Sequence, residues 1–239
     1  MGVKLKSILK STPWFLICKA TALGVAWLTL PLWVFVALSL YFYFVPSFQS
    51  MRLWYPFLLT LIIAIMLDST LGSAVLIAAA FYLLFGIKDL VFIDRLTAYR
   101  ILVALLIVIF SLAFFVRFHP ASTALFFAAL VVPLSFFLLI RGFLIYRRIQ
   151  GHESAHLTRR EGVLTGIGAF ALWQLASVLF FAPLEPAYRV LLFSVAALLS
   201  GYLLLSSLEG RLRRNDVITS FTVWFVSLVF ILTLNEWSF

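Results

Sequence analysis

The sharpest chemical motif of the chain is His152-Glu153-Ser154-Ala155-His156, which has the spacing H-E-x-x-H. On a helix, two histidines four residues apart lie on one face and can hold a zinc ion, while the glutamate between them activates a metal-bound water. His152 and His156 are therefore candidate metal ligands, and Glu153 is a candidate catalytic base.

The sequence around this motif also favours a second interpretation. The motif would then lie in a solvated loop, and its histidines would bind no metal. Gly151 precedes the motif, and Arg148 and Gln150 stand where the helix of a buried metal site usually presents apolar side chains. Most zinc hydrolases use a third protein ligand, for which Glu161 and Glu209 qualify by residue type alone. The motif resembles zinc metalloproteases over five residues, and this resemblance would imply a membrane metalloprotease.

Asp68 is the second position that could carry chemistry, because it places an ionisable side chain inside an apolar region. A charge at the centre of a bilayer costs roughly 2.5 to 3.5 kcal/mol on insertion scales, so such residues commonly mark ion or substrate sites. Asp68 is therefore a candidate ligand-binding residue. Alternatively, Asp68 begins a turn and its carboxylate caps the helix that starts near Leu71, with help from Ser69 and Thr70.

The composition indicates which elements must position these residues. Of 239 residues, 64% are hydrophobic and 11% are charged, whereas an ordinary soluble domain has roughly 25% charged residues. The apolar runs do not alternate in polarity, so we predict an all-α polytopic transmembrane bundle and not a β-barrel. The longest polar stretch, Arg141 to Gly162, is too short to bury a core of its own. Residues 1–239 are therefore predicted to form one integral membrane domain.

The predicted spans are apolar segments of about the 20 residues that a bilayer-crossing helix needs. Pro31 would kink the first of them if the helix continues through that position. The spans are Ala20–Val45, Ile101–Val116, Ala121–Ile140, Val163–Ala182, Val190–Ser207 and Val217–Glu236.

Residues Trp54 to Ile87 form a further apolar region that is too long for one straight span. Its halves, Trp54–Leu67 and Leu71–Ile87, would reach about 21 and 26 Å as helices at 1.5 Å per residue. The region makes either one net crossing, with a helix broken around Asp68 at membrane depth, or a complete hairpin.

Lysine and arginine accumulate on cytoplasmic loops, which gives the orientation. One net crossing of residues 54–87 yields seven crossings with the N-terminus inside, and fifteen of the 18 basic residues then lie inside. A hairpin yields eight crossings, with the N-terminus outside and twelve basic residues inside. We therefore favour seven crossings. Both alternatives place the loops 88–100, 141–162 and 208–216 in the cytoplasm.

The remaining features limit the partners of the chain. The net charge of +9 is explained by topology and by anionic lipid headgroups, so no nucleic acid is predicted as a partner. Cys18 is the only cysteine, which rules out an intrachain disulfide. No nucleotide-binding loop or dinucleotide fingerprint occurs, so no cofactor is predicted. Membrane lipids and other membrane proteins are the expected partners, and the oligomeric state is left open.

Small and polar residues inside the spans predict where helices meet. Gly162 and Gly166 form a G-x-x-x-G pair, and Ala197 and Gly201 form a second small pair. Such pairs let helices approach closely, within one bundle or in a dimer, and the amide of Gln174 can hydrogen-bond to a neighbouring helix.

Two segments carry resemblances to known families. LLFGIKDLVFIDR (83–95) together with LRRNDVI (212–218) resembles uncharacterised polytopic membrane proteins of candidate-phylum bacteria, and this resemblance implies no activity. YPFLLTLIIAIMLDSTLG (55–72) is similar to the MreD family of cell-shape proteins, whose members carry an apolar helix that ends in an Asp-containing turn and a Gly. That similarity implies a membrane scaffold for envelope synthesis, which contacts its partners laterally through helices.

Three function classes follow from these features. The leading one is a non-enzymatic scaffold or accessory subunit of a bacterial inner (plasma) membrane that acts through its helices. The alternative is a small-solute transporter, or its substrate-binding membrane subunit, that uses Asp68. The third is a zinc metalloprotease that uses His152, Glu153 and His156.

Overall fold

The computed structural model of the protein describes residues 14–45, 53–89, 94–117, 124–150, 159–208 and 212–234. Regular structure within these ranges is exclusively helical, which confirms the predicted all-α class. Five of the helices, α4, α5, α7, α8 and α9, are long and apolar enough to cross a membrane. The helices of the described ranges are α1 (Trp14–Thr29), α2 (Leu32–Phe44), α3 (Trp54–Met66), α4 (Leu71–Lys88), α5 (Arg95–Arg117), α6 (Ala124–Gln150), α7 (Arg159–Phe181), α8 (Pro186–Leu208) and α9 (Arg214–Leu234).

The last five helices match the five spans predicted after residue 100, but they reach further into the predicted loops. Helix α6 continues ten residues past Ile140, through three arginines, to Gln150. Lys88 is the last residue of α4, and Arg95 already begins α5. Parts of the basic segments 88–100, 141–162 and 208–216 therefore belong to helix ends.

The chain divides into two compact units, residues 1–102 and 103–239. Unit 1 contains α1 to α4 and the start of α5. Unit 2 contains the rest of α5 and α6 to α9. Each unit has its own set of helix contacts.

In unit 1, α1 and α2 fold back on each other at Leu30 and Pro31, so the predicted single span Ala20–Val45 is wrong. Lys19 near the start of α1 contacts Asp89, which caps the end of α4, and Tyr43 near the end of α2 contacts Lys88, the last residue of α4. A helix that continued through Pro31 would separate Lys19 from Tyr43 by about 36 Å at 1.5 Å per residue. The two helices are therefore antiparallel.

Proline explains where this fold-back occurs. Pro31 has no N–H for the hydrogen-bond ladder of α1, and its ring disfavours helical backbone angles at the preceding residue. Its own ψ angle is extended, at 144°. Its carbonyl then accepts hydrogen bonds from the N–H groups of Val34 and Phe35, which starts α2 in a new direction.

Helices α3 and α4 form a second antiparallel pair, which turns at residues 67–70. Phe57 near the start of α3 lies 6.5 Å, ring centre to ring centre, from Phe81 in the second half of α4. This contact requires α3 and α4 to run in opposite directions. The region 54–87 therefore has the hairpin geometry that was one of the two alternatives from sequence.

The two hairpins pack through small residues and aromatic rings. A Cβ atom on Gly24 of α1 would lie 3.0 Å from the Cβ of Ala78 and 3.1 Å from the main-chain oxygen of Ala74 in α4. Such a spacing lets the two helix backbones approach closely. At the charged ends of the helices, the rings of Tyr43 and Phe57 stack with their centres 3.9 Å apart.

In unit 2 the helices pack in chain order, α6 on α7, α7 on α8 and α8 on α9. Gly168 of α7 is the close-approach position, because a Cβ there would lie 3.3 Å from Leu204 and 3.6 Å from Phe136. Phe115 of α5 meets Phe193 of α8 edge to face at 5.6 Å. Helix α9 leaves most of its apolar surface exposed, as expected for a helix surrounded by lipid.

Candidate functional site

Unit 1 contains a charge cluster, formed by Lys19, Lys88 and Asp89, where α1 and α4 meet. Lys19 comes from the second turn of α1, Lys88 is the last residue of α4, and Asp89 is its C-cap. The Lys88 Nζ lies 3.5 Å from the Asp89 Oδ1, and the Lys19 Nζ lies 3.9 Å from the Asp89 Oδ2. One carboxylate is thus shared between two ammonium groups.

The charge cluster is buried, and its donors are poorly satisfied. The Lys88 side chain has 0% exposure, and its Nζ makes no hydrogen bond with any described residue. Both lysine–aspartate distances exceed the 2.7 to 3.2 Å of an ordinary N–H···O hydrogen bond. A buried donor left without an acceptor costs about 1 to 3 kcal/mol, and more when it is charged.

Aromatic rings provide part of the environment of the two ammonium groups. The Lys88 Nζ lies 5.5 Å from the ring centre of Tyr43 and 6.0 Å from that of Phe85. The Lys19 Nζ lies 4.4 Å from the ring of Phe15. Cation–π attraction at these distances contributes about 0.5 to 2 kcal/mol. It offsets some of the burial cost, but it does not supply hydrogen-bond acceptors.

The electrostatics of the charge cluster favour an anion. Its formal charge is +1, because two cations face one carboxylate. The negative end of the α4 dipole also attracts the lysines, but that effect amounts to roughly half an elementary charge. An oxyanion near the lysines could accept the hydrogen bonds that Asp89 does not.

The amino-acid sequence alone does not predict this cluster. Lys19 and Lys88 are far apart in sequence, and nothing local to either of them indicates burial. The one available signal was the run Gly86-Ile87-Lys88-Asp89, in which two opposite charges follow an apolar helix directly.

An apolar groove lies on the α1–α2 hairpin. Residues of both helices line it, and they are mainly apolar. Its lining begins on α1 at Cys18, which directly precedes Lys19, and includes Phe42, which directly precedes Tyr43. Other lining residues include Thr21, Val25 and Leu38.

Asp68 lies at the opposite end of unit 1, in the exposed turn between α3 and α4. The N-cap of α4 is Thr70, whose Oγ1 accepts a hydrogen bond from the N–H of Ser73 at 3.2 Å. Asp68 contributes its main-chain carbonyl, which accepts from the N–H of Thr70 at 2.9 Å. The predicted turn is therefore present, with threonine in the capping role. The ligand-binding role of Asp68 stays a prediction.

The residues of the H-E-x-x-H motif, His152, Glu153 and His156, lie outside the described residues, as does Glu209. The other proposed third ligand, Glu161, is held by Arg148, whose Nη2 donates to both carboxylate oxygens at 2.7 Å. This pair joins the end of α6 to the start of α7. Among the residues that the structure describes, no three His, Cys, Asp or Glu side chains come together as a metal site.

Helix α7 presents an exposed face that contains one polar residue. We call it the outer stripe, and it consists of Val163, Ile167, Phe170, Gln174, Val178 and Phe181, all exposed and spaced three or four residues apart. Gln174 lies about 22 Å from the start of α7 and about 11 Å from its end at 1.5 Å per residue. Its amide is therefore within the apolar part of the helix.

The two predicted small-residue pairs have different surroundings. Gly201 is buried, and a Cβ atom on it would lie 3.8 Å from the Cδ1 of Ile140. Ala197 is buried as well, so this pair packs within unit 2. Gly162 and Gly166 have nothing within 4 Å of such a Cβ, and they lie beside the outer stripe. Packing among the described residues therefore does not account for these two glycines.

Both the charge cluster and the outer stripe are thus defined by the geometry of this chain. No protein-family model, curated protein or solved structure matches the chain.

Proposed function

We propose that the protein is a multi-pass scaffold or accessory subunit of a bacterial inner (plasma) membrane, and that it binds another membrane protein along the outer stripe of α7. Exposed Gln174 is the observation that carries this proposal. In hydrocarbon there is no water to hydrogen-bond a side-chain amide. A polar residue on a partner helix would supply that bond, which contributes about 0.6 to 2 kcal/mol in membranes.

The shape of α7 supports the same conclusion. Gly166 lies beside the outer stripe with open space above its Cα, so a partner helix could approach the backbone closely. The apolar residues of the stripe, such as Phe170 at 53% exposure, would provide the packing surface. Together these features favour lateral contact with a single transmembrane helix.

The two hairpins support a specific orientation. Each hairpin returns the chain to the side from which it came, so the start of α1, the end of α2, the start of α3 and the end of α4 would share one side. Alternation of α5 to α9 would then add the end of α6, the start of α7, the end of α8 and the start of α9 to that side. With this side in the cytoplasm, sixteen of the 18 lysines and arginines lie inside, and Arg117 and Arg189 are the exceptions.

This orientation holds whether or not the hairpins cross the bilayer completely. Helices α2 and α3 have 13 residues each, which corresponds to about 20 Å, against a hydrocarbon thickness of about 30 Å. Complete crossings would give nine spans, and hairpins that turn within the bilayer would give five. Both differ from the seven crossings favoured from sequence, and both keep the N-terminus inside.

Site-specific photo-crosslinking in native membranes tests the partner surface. A photoreactive residue at Phe170 in the outer stripe is compared with one at Phe225 on α9, which has a similar exposure, 51% against 53%. We expect a discrete protein adduct from position 170, only lipid adducts from position 225, and loss of the protein adduct when Gln174→Leu is added.

Two outcomes of this experiment would contradict the proposal. Identical adducts from both positions would show that the outer stripe faces only lipid. An adduct of twice the mass of the chain would identify a second copy in place of a different protein. The zinc metalloprotease alternative is tested separately, by metal analysis of the purified protein and by His152→Ala.

A further inference from the structure

We propose that the charge cluster of unit 1 binds the phosphate of an anionic phospholipid, with an acyl chain of that lipid in the groove of the α1–α2 hairpin. This inference goes beyond the scaffold function. Its residues belong to unit 1, so it rests on the proposed orientation but does not depend on the outer stripe of α7.

The ammonium group of Lys88 lacks hydrogen-bond acceptors within the described part of the chain. Its side chain is completely buried, and its Nζ has no hydrogen-bond partner among the described residues. The carboxylate of Asp89, at 3.5 Å, is too distant for a normal hydrogen bond. Phosphate oxygens accept such bonds from ammonium groups and carry the opposite charge.

A second feature is the excess of positive charge. Lys19 and Lys88 share the single carboxylate of Asp89, so a monoanionic phosphodiester would balance the charge cluster. The partly exposed side chains are those of Asp89, at 20%, and Lys19, at 8%. A ligand phosphate would therefore reach Lys19 from the membrane surface, and it would reach the buried Lys88 by displacing the Asp89 carboxylate.

The neighbouring groove favours a lipid over a free anion. It is mainly apolar, and its lining includes Cys18 and Phe42, which directly precede Lys19 and Tyr43 in the sequence. An inorganic anion would make no use of such a groove, whereas an acyl chain would fill it. Basic pockets between helices on the cytoplasmic side are typical binding places for anionic headgroups. The orientation proposed above puts the charge cluster on that side.

Thermal unfolding of the full-length protein in lipid nanodiscs tests the site. The wild type is compared in discs of phosphatidylcholine and in discs that also contain phosphatidylglycerol, and Tm is followed by tryptophan fluorescence. We expect phosphatidylglycerol to raise Tm by about 4 °C or more, because a ligand that binds only the folded state stabilises it.

Variants assign this shift to the charge cluster. Lys19→Met and Lys88→Met should abolish the shift, while Arg100→Met, which removes an exposed charge from the same unit, should keep it. Asp89→Asn removes the competing carboxylate and should enlarge the shift. A larger Tm shift cannot result from misfolding. The Asp89→Asn variant therefore tests the site even if Lys88→Met fails to fold.

Three results would overturn the proposal. The wild type could show no shift, or all variants could show the same shift, which would indicate general surface charge. Inorganic phosphate added to phosphatidylcholine discs could reproduce the full shift, which would identify a free anion as the ligand.

Discussion

The indole Nε1 of Trp27 donates a hydrogen bond to the main-chain oxygen of Ala64 at 3.0 Å, and this bond joins the two hairpins of unit 1. Ala64 lies in the last turn of α3, where carbonyl groups have no partner within their own helix. Trp27 is buried and supplies the missing donor. A single side chain thus satisfies a helix end at the point where α1 meets α3.

Trp27→Phe is expected to lower the free energy of unfolding by about 1 to 3 kcal/mol, because it leaves the buried carbonyl of Ala64 unsatisfied. Reversible unfolding in mixed micelles measures the change. Trp33→Phe is the matched control, since Trp33 is 74% exposed. Equal effects of the two substitutions would show that the hydrogen bond does not join the hairpins.

Gly24→Ala is expected to destabilise the protein by about 1 to 3 kcal/mol, the usual cost of overpacking a core. The new Cβ would lie 3.0 Å from the Cβ of Ala78 and 3.1 Å from a backbone oxygen, and the oxygen cannot move without its helix. Gly72→Ala provides the control.

Gly72 has nothing within 4 Å of a Cβ, so alanine there gains up to about 1 kcal/mol of helix propensity. The same unfolding assay compares the two variants. If Gly24→Ala proved as stable as Gly72→Ala, the close contact between α1 and α4 would be refuted.

The start of α5 should depend on pH through Asp94. Its carboxylate oxygens accept hydrogen bonds from the Thr97 N–H at 3.0 Å and from the Thr97 hydroxyl at 2.7 Å. These bonds favour the charged form and hold the pKa of Asp94 below its ordinary value. The stabilisation is thus complete above the unfolded-state pKa and is lost as the pH falls through the folded-state pKa.

Hydrogen exchange of the Thr97 and Ala98 amides measures this dependence. Protection should fall at acidic pH in the wild type and should be independent of pH in Asp94→Asn, which cannot titrate. Thr97→Val should raise the Asp94 pKa towards its ordinary value. A wild-type amide that stays fully protected through the acidic range would contradict the capping role.

Asp68→Asn separates the scaffold from the transport alternative. Asp68 lies in an exposed turn, and Thr70 caps the following helix, so the substitution should leave folding unchanged. If the protein is a scaffold, Asp68→Asn should leave the crosslinking at position 170 unchanged. It should also leave any solute uptake by vesicles unchanged. Loss of uptake by a normally folded Asp68→Asn protein would instead favour transport.

Local signals in the sequence were sufficient for much of the fold. Long apolar runs predicted the five later helices, and the run Asp68-Ser69-Thr70 predicted the turn before α4. Pro31 was recognised, but a proline inside an apolar run can either kink a helix or end it. The fold-back was decided by packing of α1 on α4 at Gly24, which a single sequence does not display.

The candidate sites were harder to predict, for a similar reason. Lys19, Lys88 and Asp89 look like interfacial charges, because their burial arises from contacts between distant segments. Gln174 was recognised as polar, but its exposure depends on which face of α7 packs against α6 and α8. In contrast, Gly162 and Gly166 matched a packing motif, although the structure leaves open space above them.

The fold-back of residues 14–45 is the feature on which the orientation and the place of the charge cluster both depend. Cysteine accessibility in intact cells measures it directly, with Ser50→Cys and Ser154→Cys introduced singly into a Cys18→Ser background. Two hairpins predict that both reporters are shielded from an impermeant reagent outside and are labelled after permeabilisation. Labelling of Ser50→Cys from the outside, with Ser154→Cys shielded, would show that residues 14–45 cross the membrane once and would contradict the hairpin.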